Sequence, residues 1–209
     1  IVDNLFPEGN GRVPMIAITG TNGKTTTARL TEWIGRNQGY HTGLAVTGGI
    51  YSAGHKYEDG DTTGPWSAGM VLKDPDVDFA VVETARGGMV KRGLGFDRCS
   101  VSVVTNIRED HIGLNGIEDL DDLFWVKSLL VEATEKDGYS VINANDDFAE
   151  KLISKARGIP VLFSLEYNQL IDKHIKEGKT AFVYEGSKLV KYEKGERTEL
   201  LNVYEIPFL

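Results

Sequence analysis

Eight residues, Thr19-Gly-Thr-Asn-Gly-Lys-Thr-Thr26, restrict the folds open to this chain more than any other part of it. They follow the short apolar run Met15-Ile-Ala-Ile-Thr19. They precede a stretch whose apolar or small residues Ala28, Leu30 and Ile34 predict a helix from about Lys24 to Asn37. Buried strand, glycine turn and helix, in that order, make the context a phosphate-binding loop requires. Glycines let the backbone turn its N–H groups toward a phosphate, the helix N-terminus adds a partial positive charge, and Lys24 can bridge the terminal phosphates. Thr25 offers a hydroxyl to Mg²⁺. Gly20, Thr21, Asn22, Gly23, Lys24, Thr25 and Thr26 are therefore the phosphate-binding candidates. The common spacing of such loops would put a glycine at position 18, where this chain has Ile18, so the loop is a shorter variant.

The pattern recurs with other decoration. Phe79-Ala-Val-Val82, Val101-Ser-Val-Val104 and Tyr139-Ser-Val-Ile142 are further buried runs. Leu120, Leu123, Phe124, Val126, Leu129, Leu130 and Ala133 recur at helical spacing, and Asp146 to Ala156 reads as a helix begun by an Asp-rich cap. Strands alternating with helices predict an α/β fold with a doubly wound, mostly parallel sheet. The tail differs: Ala181-Phe-Val-Tyr184 and Leu189-Val-Lys-Tyr192 flank Glu185-Gly-Ser-Lys188, a small C-terminal antiparallel β-hairpin region. Residues 1–12, rich in Gly, Pro and Asn, read as an entry linker, and residues 13–209 as one domain.

The 209 residues are 41% hydrophobic and 26% charged, enough to bury a core and too apolar for a disordered chain. A net charge of -8 argues against a general nucleic-acid or membrane-surface binder, but allows a local cluster that holds an anion. No run approaches the roughly 18 apolar residues of a membrane span, and no signal peptide is present, so a cytoplasmic protein is expected. The lone Cys99 precedes an apolar run and reads as buried packing. Oligomeric state is left open, a homo-oligomer included.

Glu83 directly follows the second apolar run. A carboxylate at the C-terminal end of a parallel strand faces the same crevice as the phosphate loop, as a Mg²⁺ ligand or as a group that positions water. The third run ends in Thr105-Asn-Ile107 and leads to Asp110-His111, so a second strand end is expected to converge there. Lys127 lies within an apolar helical stretch. Burial lowers a lysine pKa, and a neutral amine can add CO₂ to give a metal-binding carbamate, although snorkelling lysines are common.

These residues together resemble the Mur ligase family, whose pattern is a Gly-Thr-Asn-Gly-Lys-Thr loop, a strand-end Glu, an Asp-His pair and a helical lysine about fifteen residues later. All four stand here in order, and Val141-Ile-Asn-Ala-Asn-Asp-Asp147 is similar to the family's Asn-Ala-Asp-Asp strand end, with Asn145 in place of the first Asp. The stretches Gly60-Asp-Thr-Thr-Gly-Pro65, Glu83-Thr-Ala-Arg-Gly-Gly88, Gly93-Leu-Gly-Phe-Asp97 and Val104-Thr-Asn-Ile-Arg-Glu-Asp-His-Ile-Gly-Leu114 resemble the cyanophycin-synthesising branch. The likeness runs from about Arg12 to Asp147.

The resemblance implies the ATP-binding central domain of an ATP- and Mg²⁺-dependent amide ligase that works through an acyl phosphate. Lys24, Glu83, His111 and Lys127 would be catalytic. Thr25, Glu83, His111 and Lys127, the last as a carbamate, would hold metal. Thr62, Thr63 and Arg86 would hold the anionic acceptor, or the two threonines merely shape a turn before Pro65. Enzymes of the branch attach arginine to the side chains of an aspartate polymer and carry an ATP-grasp module. Neither that module nor a C-terminal Mur domain is recognisable, so the missing domains of the same polypeptide are expected partners and the chain alone is expected to be inactive. Two alternatives stay open: a Mur-type ligase with a folylpolyglutamate or peptidoglycan-precursor acceptor, and a nonligating ATP-binding module.

Overall fold

The computed structural model describes residues 11–109, 113 and 116–206. The described residues fall into two compact units. The first takes in residues 11–18 and 23–100, the second 19–22 and 101–206.

In the first unit, β1 (Met15–Thr19), β5 (Phe79–Glu83) and β2 (Thr42–Val46) lie side by side and parallel. Two antiparallel strands, β3 (Gly49–Ser52) and β4 (His55–Glu58), extend this sheet beyond β2. The helix predicted after the glycine loop is present with the expected limits as α1 (Lys24–Asn37), but of the three residues that marked it only Ala28 is buried. Ala28, Glu32 and Gly35 are buried, whereas Leu30, Trp33 and Ile34 are exposed. The reason is close approach. A Cβ on Gly35 would come within 2.8 Å of the Phe79 ring, and the buried Glu32 carboxylate is satisfied by the Thr42 hydroxyl at 2.6 Å and by Arg36 at 3.2 Å.

Helix α2 (Pro65–Lys73) covers the opposite side of the sheet. A Cβ on Gly43 would meet its Val71 at 2.5 Å, and Gly43 and Thr42 are successive residues of one strand, which point to opposite faces. Helices on both faces of parallel strands make the doubly wound arrangement the sequence predicts. A short α3 (Arg86–Arg92) follows β5.

The second unit orders its strands β6 (Cys99–Val104), β7 (Thr134–Asn143), β8 (Ile159–Ser164), β9 (Ala181–Glu185), β10 (Lys188–Glu193) and β11 (Glu196–Asn202). The β7–β8 and β8–β9 pairs are parallel. The predicted hairpin is the antiparallel β9–β10 pair, closed where Glu185 faces Lys188, and it continues into β11, which sequence reading missed. The polar, exposed pattern of Glu196–Asn202 gives no buried face to detect. Helices α4 (Leu120–Glu132), α5 (Ala149–Lys155) and α6 (Gln169–Lys176) complete the unit. Its core gathers Leu123, Ile142, Leu152, Leu162 and Ile171, all nearly solvent-free. Cys99 is buried, as expected.

One helix start is corrected. The Asp-rich segment does not cap a helix at Asp146: α5 begins at Ala149 without a side-chain cap. Asp146 is used elsewhere, its Oδ2 accepting the Ile107 N–H at 2.7 Å and its Oδ1 the Phe148 N–H at 3.0 Å. By contrast, Asp119 caps α4 as the rule predicts, accepting from the Asp122 N–H at 2.9 Å.

His174 of α6 is 3% exposed, and its Nε2 has no hydrogen-bond partner among the described residues. Burial pushes its pKa below the ordinary histidine value, with the Lys179 charge adding to the effect. Neutral His174 thus stabilises the fold fully above about pH 6.5, its unfolded value, and that contribution is lost as pH falls through the lower folded value. The unfolding temperature of the native protein should therefore drop between pH 7 and pH 5 more steeply than that of His174→Gln. Equal slopes would show that this histidine stays uncoupled from folding.

Candidate functional site

The first unit brings the phosphate helix and the strand-end glutamate into contact. Ile18 is fully buried in β1 and stands beside Glu83 in the parallel register of β1 and β5. Thr84 ties the two strand ends together, donating its N–H at 2.8 Å and its hydroxyl at 3.1 Å to the Ile18 carbonyl. Gly23 then enters α1 with φ of 83°, a left-handed conformation that residues with a Cβ rarely adopt. With glycine at this position, no side chain caps the first turn of the 14-residue helix, and no acid lies in that turn. The helix end therefore keeps a positive potential suited to an external anion.

Glu83, 3% exposed, is the last residue of β5, the strand end at which the sequence places it. Its Oε2 accepts the Thr25 hydroxyl at 2.7 Å and the Thr47 N–H at 3.3 Å, and its Oε1 accepts the Thr47 hydroxyl at 3.2 Å. A hydroxyl and a carboxylate in contact at the head of the phosphate helix are the hard oxygen donors that Mg²⁺ selects. The residues thus fit the metal. Among the described residues no three His, Cys, Asp or Glu side chains gather around one point.

In the second unit, Thr19–Asn22 is held by the segment after β6. The Thr21 N–H donates to the Asn106 carbonyl at 2.9 Å, and the Asn22 N–H to Asn106 Oδ1 at 2.9 Å. The Thr105 hydroxyl donates to the Asn22 carbonyl at 2.6 Å, while the Thr21 hydroxyl accepts the Arg108 N–H at 3.0 Å. Asn143, reaching the Thr105 carbonyl at 2.9 Å, and Asp146, taking the Ile107 N–H, hold that segment in turn. The Thr21 and Asn22 amides are thus spent on protein acceptors.

Gly20 is the tightest point. Its φ is 149°, and a Cβ there would fall 1.9 Å from Thr105 Oγ1. Gly20→Ala is expected to destabilise the protein by about 3 kcal/mol or more, from backbone strain and overlap together, and to weaken nucleotide binding. Thermal unfolding and nucleotide titration of the variant check this, and a wild-type unfolding temperature would contradict the loop geometry.

The acceptor candidates sit together in the first unit. Thr62 and Thr63 are buried. Thr62 donates its hydroxyl to the Val46 carbonyl at 2.6 Å, Thr63 donates its own to Asp61 Oδ1 at 2.7 Å, and the Thr63 carbonyl accepts the Ala85 N–H at 3.2 Å. A hydroxyl has one hydrogen to give, and in this arrangement both threonines give theirs to the protein. Arg86, the first residue of α3, is half-buried. Nearby, Arg12 binds Asp97 through both oxygens at 2.8 and 2.6 Å, and that hydrogen-bonded pairing holds the Asp97 pKa down to about 2.

Lys127 belongs to the second unit and is 3% exposed on the buried face of α4, as its apolar neighbours predict. Asp110, His111 and the final Pro207, Phe208 and Leu209 lie outside the described residues, as do residues 1–10 of the expected linker. Sequence reading missed Thr47, Asn106 and Asp146 as working parts. Thr47 follows a strand that gave no signal of its own, and the other two act through partners distant in the chain.

The model of the Mur ligase middle domain matches residues 18–204, nearly the whole chain. The chain belongs to that family. This Mur middle domain is 45% identical over 187 residues to a cyanophycin synthetase of Crocosphaera subtropica (strain ATCC 51142 / BH68), a match that covers 88% of this chain and 21% of that protein. It is 42% identical over 200 residues to the cyanophycin synthetase of Geminocystis herdmanii (strain PCC 6308), covering 95% of this chain and 23% of that one. It therefore spans less than a quarter of the length of these curated relatives. Among solved structures, a UDP-N-acetylmuramoyl-L-alanyl-D-glutamate--2,6-diaminopimelate ligase superposes with a TM-score of 0.69 at 20% identity, covering 91% of this chain and 39% of that one. That likeness concerns the fold, and it agrees with the α/β arrangement described above. The resemblance read from the loop, the strand-end Glu83 and the Glu83–Gly88 run thus identifies the family of this Mur middle domain.

Proposed function

We propose that this Mur middle domain is the ATP-handling core of an amide-forming ligase, which in the complete protein attaches arginine to the side-chain carboxylates of an aspartate polymer. The contact of Thr25 with Glu83 at 2.7 Å, at the head of an uncapped helix, carries the reading. The 45% identity to a cyanophycin synthetase supports the choice of substrates.

A carboxylate is a poor electrophile. In this reading its oxygen attacks the γ-phosphorus of ATP, the bond to the β-phosphate oxygen breaks, and ADP leaves an acyl phosphate. The neutral amine then attacks the acyl carbon, and phosphate departs with the bonding electrons and takes up the proton that the nitrogen loses. The first turn of α1 and Lys24 hold the phosphates, and Lys24 neutralises charge that develops on the transferred group. Gly20 to Thr26 supply the loop. Thr25 and Glu83 would hold Mg²⁺, whose charge would offset that of the phosphates. His111 and a carbamylated Lys127 would hold a second metal, and the burial of Lys127, which favours a neutral amine able to add CO₂, supports the carbamate. Arg86 binds the acceptor carboxylate in bidentate fashion, with Thr62 and Thr63 holding the turn before it.

Residues 13–209 form the middle domain in this proposal, and the remaining domains of the polypeptide supply the amine site and polymer synthesis. The 209 residues alone then bind nucleotide weakly and make no amide. Among the described residues no helix is long and apolar enough to cross a membrane. The proposal places the complete enzyme in the cytoplasm. The test is product mass after incubating the complete protein with ATP, Mg²⁺, arginine and an aspartate polymer. Arginine-dependent mass gain is expected. Tight ATP binding without turnover would point to a nonligating module, and turnover only with another acceptor would remove the assigned substrate.

A further inference from the structure

Thr47 and Gly48 form the two-residue turn between β2 and β3, in which Val46 faces Gly49. Two-residue hairpin turns match strand twist when the first or both turn residues take positive φ. Neither residue does here; the positive φ, 134°, falls on Gly49. The backbone of this turn is therefore set by its surroundings.

Three groups set it. Thr62 donates to the Val46 carbonyl at 2.6 Å, one residue before the turn. The Tyr51 hydroxyl donates to the Gly48 carbonyl at 3.4 Å. Arg29 of α1 donates to that hydroxyl at 3.0 Å, and its guanidinium lies 5.0 Å from the centre of the Tyr51 ring. A Cβ at position 48 would come within 2.9 Å of the Arg29 guanidinium, so glycine there lets the arginine close on the turn. The turn in its turn directs two donors of Thr47 at Glu83, one on each carboxylate oxygen.

We propose that Tyr51, clamped by Arg29, is a positioning residue that acts through Thr47 to fix the orientation of the Glu83 carboxylate. The inference rests on the reading of Glu83 as a metal ligand. The clamp gives Arg29, although exposed, a link to the site. It sits little more than one helical turn beyond Lys24, so the helix that meets the nucleotide also sets the turn that aims the carboxylate.

The experiment is Mn²⁺ titration, followed by electron paramagnetic resonance, of the complete protein loaded with a nonhydrolysable ATP analogue. Tyr51→Phe keeps the ring and removes one hydroxyl. It should weaken Mn²⁺ about tenfold, the usual scale for groups that orient a metal ligand. The unfolding temperature and the affinity for metal-free nucleotide should stay at wild-type values. Thr47→Val should weaken Mn²⁺ at least as much, and the double variant no more than Thr47→Val alone, because both changes lie on one path. Wild-type Mn²⁺ affinity in Tyr51→Phe, additive losses in the double variant, or a fall in unfolding temperature that tracks the lost affinity would each overturn the clamp. Glu83→Gln separates the two levels. If it leaves Mn²⁺ binding intact, the metal role of Glu83 fails and the clamp with it; if it abolishes binding while Tyr51→Phe keeps wild-type affinity, the clamp alone fails.

Discussion

Lys24→Ala is expected to lower ATP-dependent amide formation by the complete protein about a thousandfold while leaving its stability intact. The activity loss follows from removing a fixed positive charge where the transferred phosphate accumulates negative charge, a class of contribution usually worth 10²–10³ in rate. The stability expectation comes from the helix itself. Lys24 is the first residue of α1, the end where the aligned peptide dipoles disfavour a cation, typically by about 0.3–1 kcal/mol. Alanine, the best helix former, should therefore fit that position at least as well. The useful measurement pairs product formation with thermal unfolding. A variant that ligates at wild-type rate, or loses activity only because it unfolds, would remove Lys24 from the chemistry.

Glu83→Gln should lower the same activity by about 10²–10³ and raise the Mg²⁺ concentration needed for half-maximal rate, again without unfolding the protein. The two side chains have the same shape, and the neighbouring groups can adapt. The Thr47 hydroxyl, which donates to Oε1 at 3.2 Å, can rotate to accept from an amide nitrogen, while the amide oxygen keeps the Thr25 hydroxyl and the Thr47 N–H. What disappears is the negative charge, and with it most of the attraction for a divalent cation. Because a buried carboxylate is costly to desolvate, the variant is expected to unfold at the wild-type temperature or above it. Glu83→Ala would strand the Thr47 and Thr25 donors and mix a stability loss into the result. Steady-state kinetics against Mg²⁺ concentration decide the matter, and unchanged metal dependence in Glu83→Gln would rule out direct ligation.

Much of the candidate site was legible in the sequence because its signals are local. The glycine loop sits between an apolar run and a helix, and Lys24, Thr25 and Glu83 occupy positions set by the ends of those elements. The helix limits 24–37 followed from the same pattern. The buried face of α1 did not. Apolar periodicity favoured Leu30 and Ile34, but the sheet accepts the side with Gly35, which allows close packing, and the hydrogen bond between Glu32 and Thr42 makes a charged residue tolerable there.

By itself, the sequence determined the order of strand, loop and helix, the place of Glu83 at a strand end and of Lys127 within an apolar helix, and the family of the chain. Each of these depends on residues near one another in the chain or on motifs that follow one another in a set order. Only the tertiary structure decided the partners: Thr25 with Glu83, 58 residues apart, Thr47 with Glu83, 36 apart, and Asn22 with Asn106, 84 apart. It also decided that Thr62 and Thr63 spend their hydroxyl hydrogens on the protein. The physical reason is that a polar side chain can satisfy its hydrogen bonds in many ways at similar energy. Which way it takes is fixed by strand pairing that brings distant residues to the same end of a sheet, and no short-range pattern encodes that choice.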